Sequence, residues 1–80
     1  MWHLYILRCA DNTLYTGITN DLERRIDEHN SSKLGAKYTR GRRPVTLIYS
    51  KKLKNRSEAS KEEARIKKMS RSEKLMLQKH

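Results

Sequence analysis

The chain has one cysteine, one proline, three glycines and no phenylalanine. A lone Cys9 excludes an intrachain disulfide and a zinc site built from four thiolates. A free thiol also fits a reducing compartment. So little glycine and proline excludes a low-complexity or collagen-like chain. No apolar run approaches the ~20 residues of a membrane span, and the mean hydropathy is −1.00. The opening MWHLYILRC carries neither a basic leader nor a long apolar stretch, so no signal peptide is expected and the expected location is the cytoplasm. Acidic residues are scarce as well, 9 against 19 basic ones. Eighty residues predict one domain over 1–80, with a core over about 2–75, that buries about 60% of its unfolded surface.

The charge is +10 and unevenly spread. Residues 1–32 hold more acids than bases. Residues 33–56 hold nine basic side chains and no acid, and residues 57–80 are again mixed. A block of one sign repels itself and is relieved by an anionic partner. Nucleic acid is the commonest such partner for a compact basic domain. An acidic protein, a membrane surface or a merely solvated face are the competing explanations.

Trp2 to Cys9 is rich in aromatic and β-branched residues and predicts a strand. Its blurred alternation is that of a strand covered on both faces. Asp11 and Asn12 are turn formers, and Thr13 to Ile18 predicts the second arm of an antiparallel hairpin. Gly17 within that arm suggests a bulge or a close backbone approach. Asn20, followed by Asp21 and Glu23, predicts a capped helix running to about Asn30, with Leu22 and Ile26 buried. Residues 31–43 are expected to be irregular, and Val45 to Tyr49 is expected to be the third strand. Lys51 to Arg56 predicts a polar turn. Ser57 is the expected cap of a helix from Glu58 to about Met69. Ser70 and Glu73 form a capping box for a last helix from Arg71 to about Gln78, with Leu75 and Met76 inward. The order β-β-α-β-α-α predicts an α+β fold, a three-stranded antiparallel sheet flanked by helices.

Tyr5 and Tyr15 fall near each other if the hairpin turns at Asp11 and Asn12. Arg25 and His29 lie four apart, one above the other on a helix. Glu63 lies on or beside the apolar stripe of its helix. A carboxylate for a divalent cation, an arginine for the phosphate and a tyrosine or histidine for the water proton are what phosphodiester hydrolysis needs. The same residues also read as two core tyrosines, an ordinary helix surface and a Glu63–Lys67 pair at i,i+4, so spacing alone does not choose.

Three runs add to this: Tyr5-Ile6-Leu7-Arg8-Cys9, then Leu14-Tyr15-Thr16-Gly17-Ile18-Thr19-Asn20, then Ala36 to Pro44. With Asp21 to His29 between the last two, the chain resembles the GIY-YIG nuclease superfamily, in particular its small stand-alone bacterial single-domain members. The resemblance implies a metal-dependent endonuclease that cuts DNA phosphodiester bonds. It maps the family's two tyrosines onto Tyr5 and Tyr15 and its arginine onto Arg25, rather than the adjacent Arg24. It maps a helper histidine onto His29, and the glutamate that holds Mg²⁺ or Mn²⁺ onto Glu63, with Glu62 as the neighbour to be distinguished. Tyr5 is then the expected activator of water, its hydroxyl pKa lowered by the metal and Arg25. Lys33, Lys37, Arg40, Arg42 and Arg43 become candidates for tracking the nucleic-acid backbone. His3-Leu4 replaces the family's Gly-Ile, Thr16 replaces an Ile, and an asparagine found late in several active relatives has no match here. No separate recognition domain is expected, so targeting is expected to come from this domain, from a partner protein, or from neither. The alternatives to an endonuclease are a nucleic-acid-binding domain with little or no cleavage and a small structural or interaction protein on an old fold.

Overall fold

The computed structural model describes residues 1–31 and 37–78, the side chains of Lys37 and Tyr38 excepted. Its elements are β1 (Trp2–Arg8), β2 (Leu14–Thr19), α1 (Leu22–Ser31), α2 (Lys37–Arg40), β3 (Thr46–Leu53), α3 (Arg56–Lys67) and α4 (Arg71–Gln78). The expected order holds, with one addition: the stretch expected to be irregular contains the single-turn helix α2. The sheet order is β2-β1-β3, all antiparallel. The central β1 has Leu4 to Leu7 buried without a break, because both of its faces are covered.

One face of β1 sends Tyr5 and Leu7 toward α1, where Tyr15, Leu22 and Ile26 close the cluster with Cys9 and Val45. The other face sends Leu4 and Ile6 against Ile66, with Met69 and Leu77 around them. Alternation along one strand therefore builds both halves of the core.

Asn12 takes the left-handed backbone, with φ 72°, which asparagine tolerates. Asp11 Oδ1 accepts from the Thr13 amide at 3.1 Å and from the Thr13 hydroxyl at 2.6 Å.

Four local expectations are corrected. The cap of α1 is Asp21, not Asn20: Asp21 Oδ1 accepts from Arg24 N at 3.2 Å, and the Thr19 hydroxyl accepts from Asp21 N at 3.1 Å. A carboxylate also suits the positive end of the helix better than an amide does. The cap of α3 is Asn55, not Ser57. Its extended backbone leaves the strand and its side chain accepts from Glu58 N at 2.9 Å. Lys51 to Leu53 belong to β3 rather than to a turn, since β1 runs far enough to pair Trp2 with Leu53. Lysines on such an edge strand keep their charges in water and discourage further pairing. In α4, Met76 is exposed and Leu77 packs inward. The capping box there forms as expected, with Glu73 accepting from Ser70 N at 2.9 Å.

Candidate active site

Tyr5 faces Gly17 across the β1–β2 ladder, and Tyr15 faces Leu7. The two tyrosines are thus diagonal neighbours on one face, with ring centroids 6.4 Å apart. Gly17 is a close approach and not a bulge; the register shift lies between Ile6 and Leu7 on the β3 side. A Cβ at residue 17 would stand 2.5 Å from the Tyr5 hydroxyl and 2.7 Å from Cζ. Only a glycine lets the Tyr5 ring lie over the neighbouring strand.

Helix α1 brings Arg25 and His29 to the same rings. His29 is fully buried, 5.8 Å from the Tyr5 ring and 5.3 Å from the Tyr15 ring. Its Nε2 lies 2.9 Å from the Tyr5 hydroxyl and its Nδ1 lies 2.8 Å from Oγ1 of the buried Thr39 in α2. Burial, aided by the Arg25 charge, pushes His29 down to about 4, so the ring is neutral at neutral pH. Arg25 donates to Glu28 Oε1 at 2.9 Å and hydrogen-bonds toward the Tyr5 hydroxyl. Arg25 pulls Tyr5 down, as expected, but burial wins: the phenol stands at about 12. Arg25 therefore does not make a phenolate by itself.

Glu63 comes from the opposite layer. Helix α3 packs on β2 and β1, and the Glu63 charge is the smallest of the influences that raise Tyr5, well behind burial. Its side chain is 24% exposed and sits 3.3 Å from Lys67 Nζ, a pairing an exposed lysine makes at little gain. Its neighbour Glu62 is committed elsewhere, to Arg65 and Lys51, which hold it down at about 2. Among the described residues no three His, Cys, Asp or Glu side chains gather as a metal site. A single partly exposed carboxylate suits Mg²⁺, which keeps several waters and takes one or two carboxylates with substrate phosphate oxygens. Mn²⁺ accepts the same oxygen donors.

The profile of the GIY-YIG catalytic domain matches residues 1–76. The chain belongs to the GIY-YIG superfamily. A UPF0213 protein of Desulfotalea psychrophila is 58% identical over 95% of this chain and 69% of its own length. One from Syntrophus aciditrophicus is 56% identical over 94% of this chain and 86% of its own length. The solution structure of a UPF0213 protein from Bacillus halodurans is similar with a TM-score of 0.59 and 44% identity, covering 96% of this chain and 82% of that one. The solution structure of a protein from E. faecalis gives 0.62 and 46%, covering 92% and 78%. Membership of GIY-YIG places the chain in a nuclease superfamily whose members generally use divalent metals and nucleic-acid substrates.

In this GIY-YIG domain the basic candidates are not equivalent. Lys33 and the Lys37 side chain lie outside the described residues. Arg40 is exposed. Arg42 donates to Asp11 Oδ2 at 2.9 Å across the hairpin. Arg43 donates to the His29 carbonyl at 2.6 Å and to the Glu28 carbonyl at 3.4 Å, so it closes the end of α1. Three further residues of the site had no signal in spacing: Glu28, which holds Arg25; Thr39, which sits under His29; and Asn30, which bonds both backbone groups of Val45 at 2.7 and 3.2 Å. No helix among the described residues is long and apolar enough to cross a membrane.

Proposed function

We propose that the chain is a divalent-metal-dependent endonuclease that hydrolyses DNA phosphodiester bonds in the cytoplasm. The observation that carries this is the convergence on one hydroxyl. Tyr5 meets His29 by a hydrogen bond, Arg25 by its guanidinium and Tyr15 by its ring, and the Glu63 charge is the weakest of the influences on it. These groups come from four separate elements, and packing a core does not need that set.

Glu63 is the residue that would hold Mg²⁺ or Mn²⁺, its charge released from Lys67. A cation bound there would polarise the scissile phosphate and neutralise the leaving oxygen. Arg25, oriented by Glu28, binds the non-bridging phosphate oxygens through its planar fork. Tyr5 takes the proton of the attacking water. A phenol at about 12 does this only by passing its own proton on in the same step, and His29 Nε2 is the neighbour able to receive it. Burial holds His29 down first and the Arg25 charge second; incoming phosphate offsets the second, so His29 becomes a better acceptor once substrate is bound. Tyr15 positions the water or the phosphate. Lys33, Lys37, Arg40, Arg42 and Arg43 follow the backbone, and a protein partner supplies any further targeting.

The test is cleavage of supercoiled plasmid and labelled branched DNA at low salt with Mg²⁺ or Mn²⁺, beside an EDTA control and Glu63→Ala protein. Metal-dependent nicking that the variant loses is the expected result. Equal cutting by the variant would remove Glu63 from its role. Salt-sensitive DNA binding without any metal-dependent cutting would make the chain a binding module instead.

A further inference from the structure

Thr39 is fully buried, on a helix of four residues inside the most basic stretch of the chain. Nothing in core packing asks for a hydroxyl there. Its Oγ1 lies 2.8 Å from His29 Nδ1, and the opposite ring nitrogen lies 2.9 Å from the Tyr5 hydroxyl. The three groups form one line from α2 through α1 to β1.

Hydrogen accounting sets the direction of that line. A guanidinium carries donors only, so Arg25 engages the Tyr5 hydroxyl through the oxygen. The Arg25 cation at that oxygen favours the Tyr5 hydrogen pointing away from it, toward His29 Nε2, and in that arrangement Nε2 is bare. A neutral imidazole with a bare Nε2 carries its proton on Nδ1. That proton faces Thr39 Oγ1, which has lone pairs to accept it. We propose that Thr39 is a positioning residue, an acceptor that holds His29 in the Nδ1-protonated tautomer with Nε2 open toward Tyr5. A carboxylate in Thr39's place would add a buried charge beside the ring; a hydroxyl fixes the tautomer without one.

The catalytic consequence rests on the nuclease reading, while the tautomer does not. In the proposed step the water O–H breaks as the Tyr5 O–H re-forms. The original Tyr5 proton moves to Nε2, and the water oxygen bonds to phosphorus as the leaving P–O bond breaks, its electron pair staying on the leaving oxygen, which takes a proton from solvent. His29 ends as an imidazolium, with Nδ1–H still donated to Thr39. In the other tautomer Nε2 already carries hydrogen and the transfer has no acceptor.

The experiment uses full-length protein with isotope-labelled histidine. Proton–nitrogen correlation spectra are recorded at neutral pH, and His29 is assigned by comparison with His29→Gln. The expected spectrum shows His29 Nδ1 as the protonated nitrogen and Nε2 as the bare one. Thr39→Val, matched in shape, is expected to lose this preference and move both nitrogens toward averaged positions. Thr39→Ser is expected to restore it. A wild-type proton on Nε2, or a Thr39→Val spectrum like wild type, would overturn the proposal. Where cleavage is measurable, kcat should fall about tenfold in Thr39→Val with KM unchanged, the equivalent of roughly 1.4 kcal/mol, and should return in Thr39→Ser. A shifted tautomer with unchanged kcat would overturn the catalytic role. The expected spectrum from a protein that cuts nothing would instead count against the nuclease reading and leave the tautomer assignment standing.

Discussion

Gly17 and His29 show how single residues set the site. An added methyl at Gly17 meets the Tyr5 hydroxyl at 2.5 Å, Cζ at 2.7 Å and the Tyr15 ring at 3.2 Å. Tyr5 has no room to retreat: it is buried and its hydroxyl is held by His29. Gly17→Ala is therefore expected to cost about 1–3 kcal/mol through overpacking and to displace the ring. Urea unfolding and the near-ultraviolet tyrosine signal measure the two effects, and unchanged values for both would refute the close approach. His29 makes a second prediction. It faces Tyr5 from β1, Tyr15 from β2, Arg25 and Glu28 on its own helix, Thr39 from α2, and Arg43. Its folded pKa of about 4 lies below the ordinary 6.5, so the unfolded chain binds the proton first as pH falls. The stabilisation is complete above 6.5 and is lost on the way down to 4, with a total on the order of 3 kcal/mol. Urea midpoints across that window should fall less steeply in His29→Gln than in wild type; equal slopes would show that the imidazole is not held neutral.

Between elements, legibility from sequence divides along the range of the contact. The Tyr5–Tyr15 pairing follows from a hairpin hinged at Asp11 and Asn12, and the stacking of Arg25 with His29 follows from helical spacing. These are local geometry. Where Glu63 stands relative to Tyr5 depends on how α3 lies on the sheet, and Thr39 meets His29 only because α2 folds back on α1. No periodicity carries those contacts. The end of β3 was hidden differently, since Lys51 and Lys52 look like loop residues and are strand residues only because β1 extends to pair with them. Asn30 is the clearest of the hidden joints. Its side chain imitates a strand neighbour for Val45, accepting from the amide at 2.7 Å and donating to the carbonyl at 3.2 Å. Asn30→Ala leaves both groups of a buried residue without that partner, at an expected cost of about 1–3 kcal/mol. Hydrogen exchange at the Val45 amide should quicken in the variant by more than at amides of β2. Protection retained at Val45 would mean that the joint does not hold α1 to β3.

For the whole molecule, the charge of +10 sets how the site meets a polyanion. Phosphate contacts by lysine and arginine release condensed counterions, and the slope of affinity on salt counts those contacts. Five such contacts imply a loss of roughly five hundredfold in affinity for duplex DNA between about 50 and 200 mM salt. The structure separates the contributors. Arg40 is exposed, so Arg40→Ala should lower the slope by about one contact and leave the unfolding midpoint unchanged. Arg43 binds the His29 and Glu28 carbonyls, so Arg43→Ala should lower stability as well as affinity, and should disturb His29. Binding isotherms at several salt concentrations, paired with urea unfolding of the same proteins, test this. Salt-independent binding would sever the basic stretch from nucleic acid. Equal stability of the two variants would show instead that Arg43 is a surface charge like Arg40.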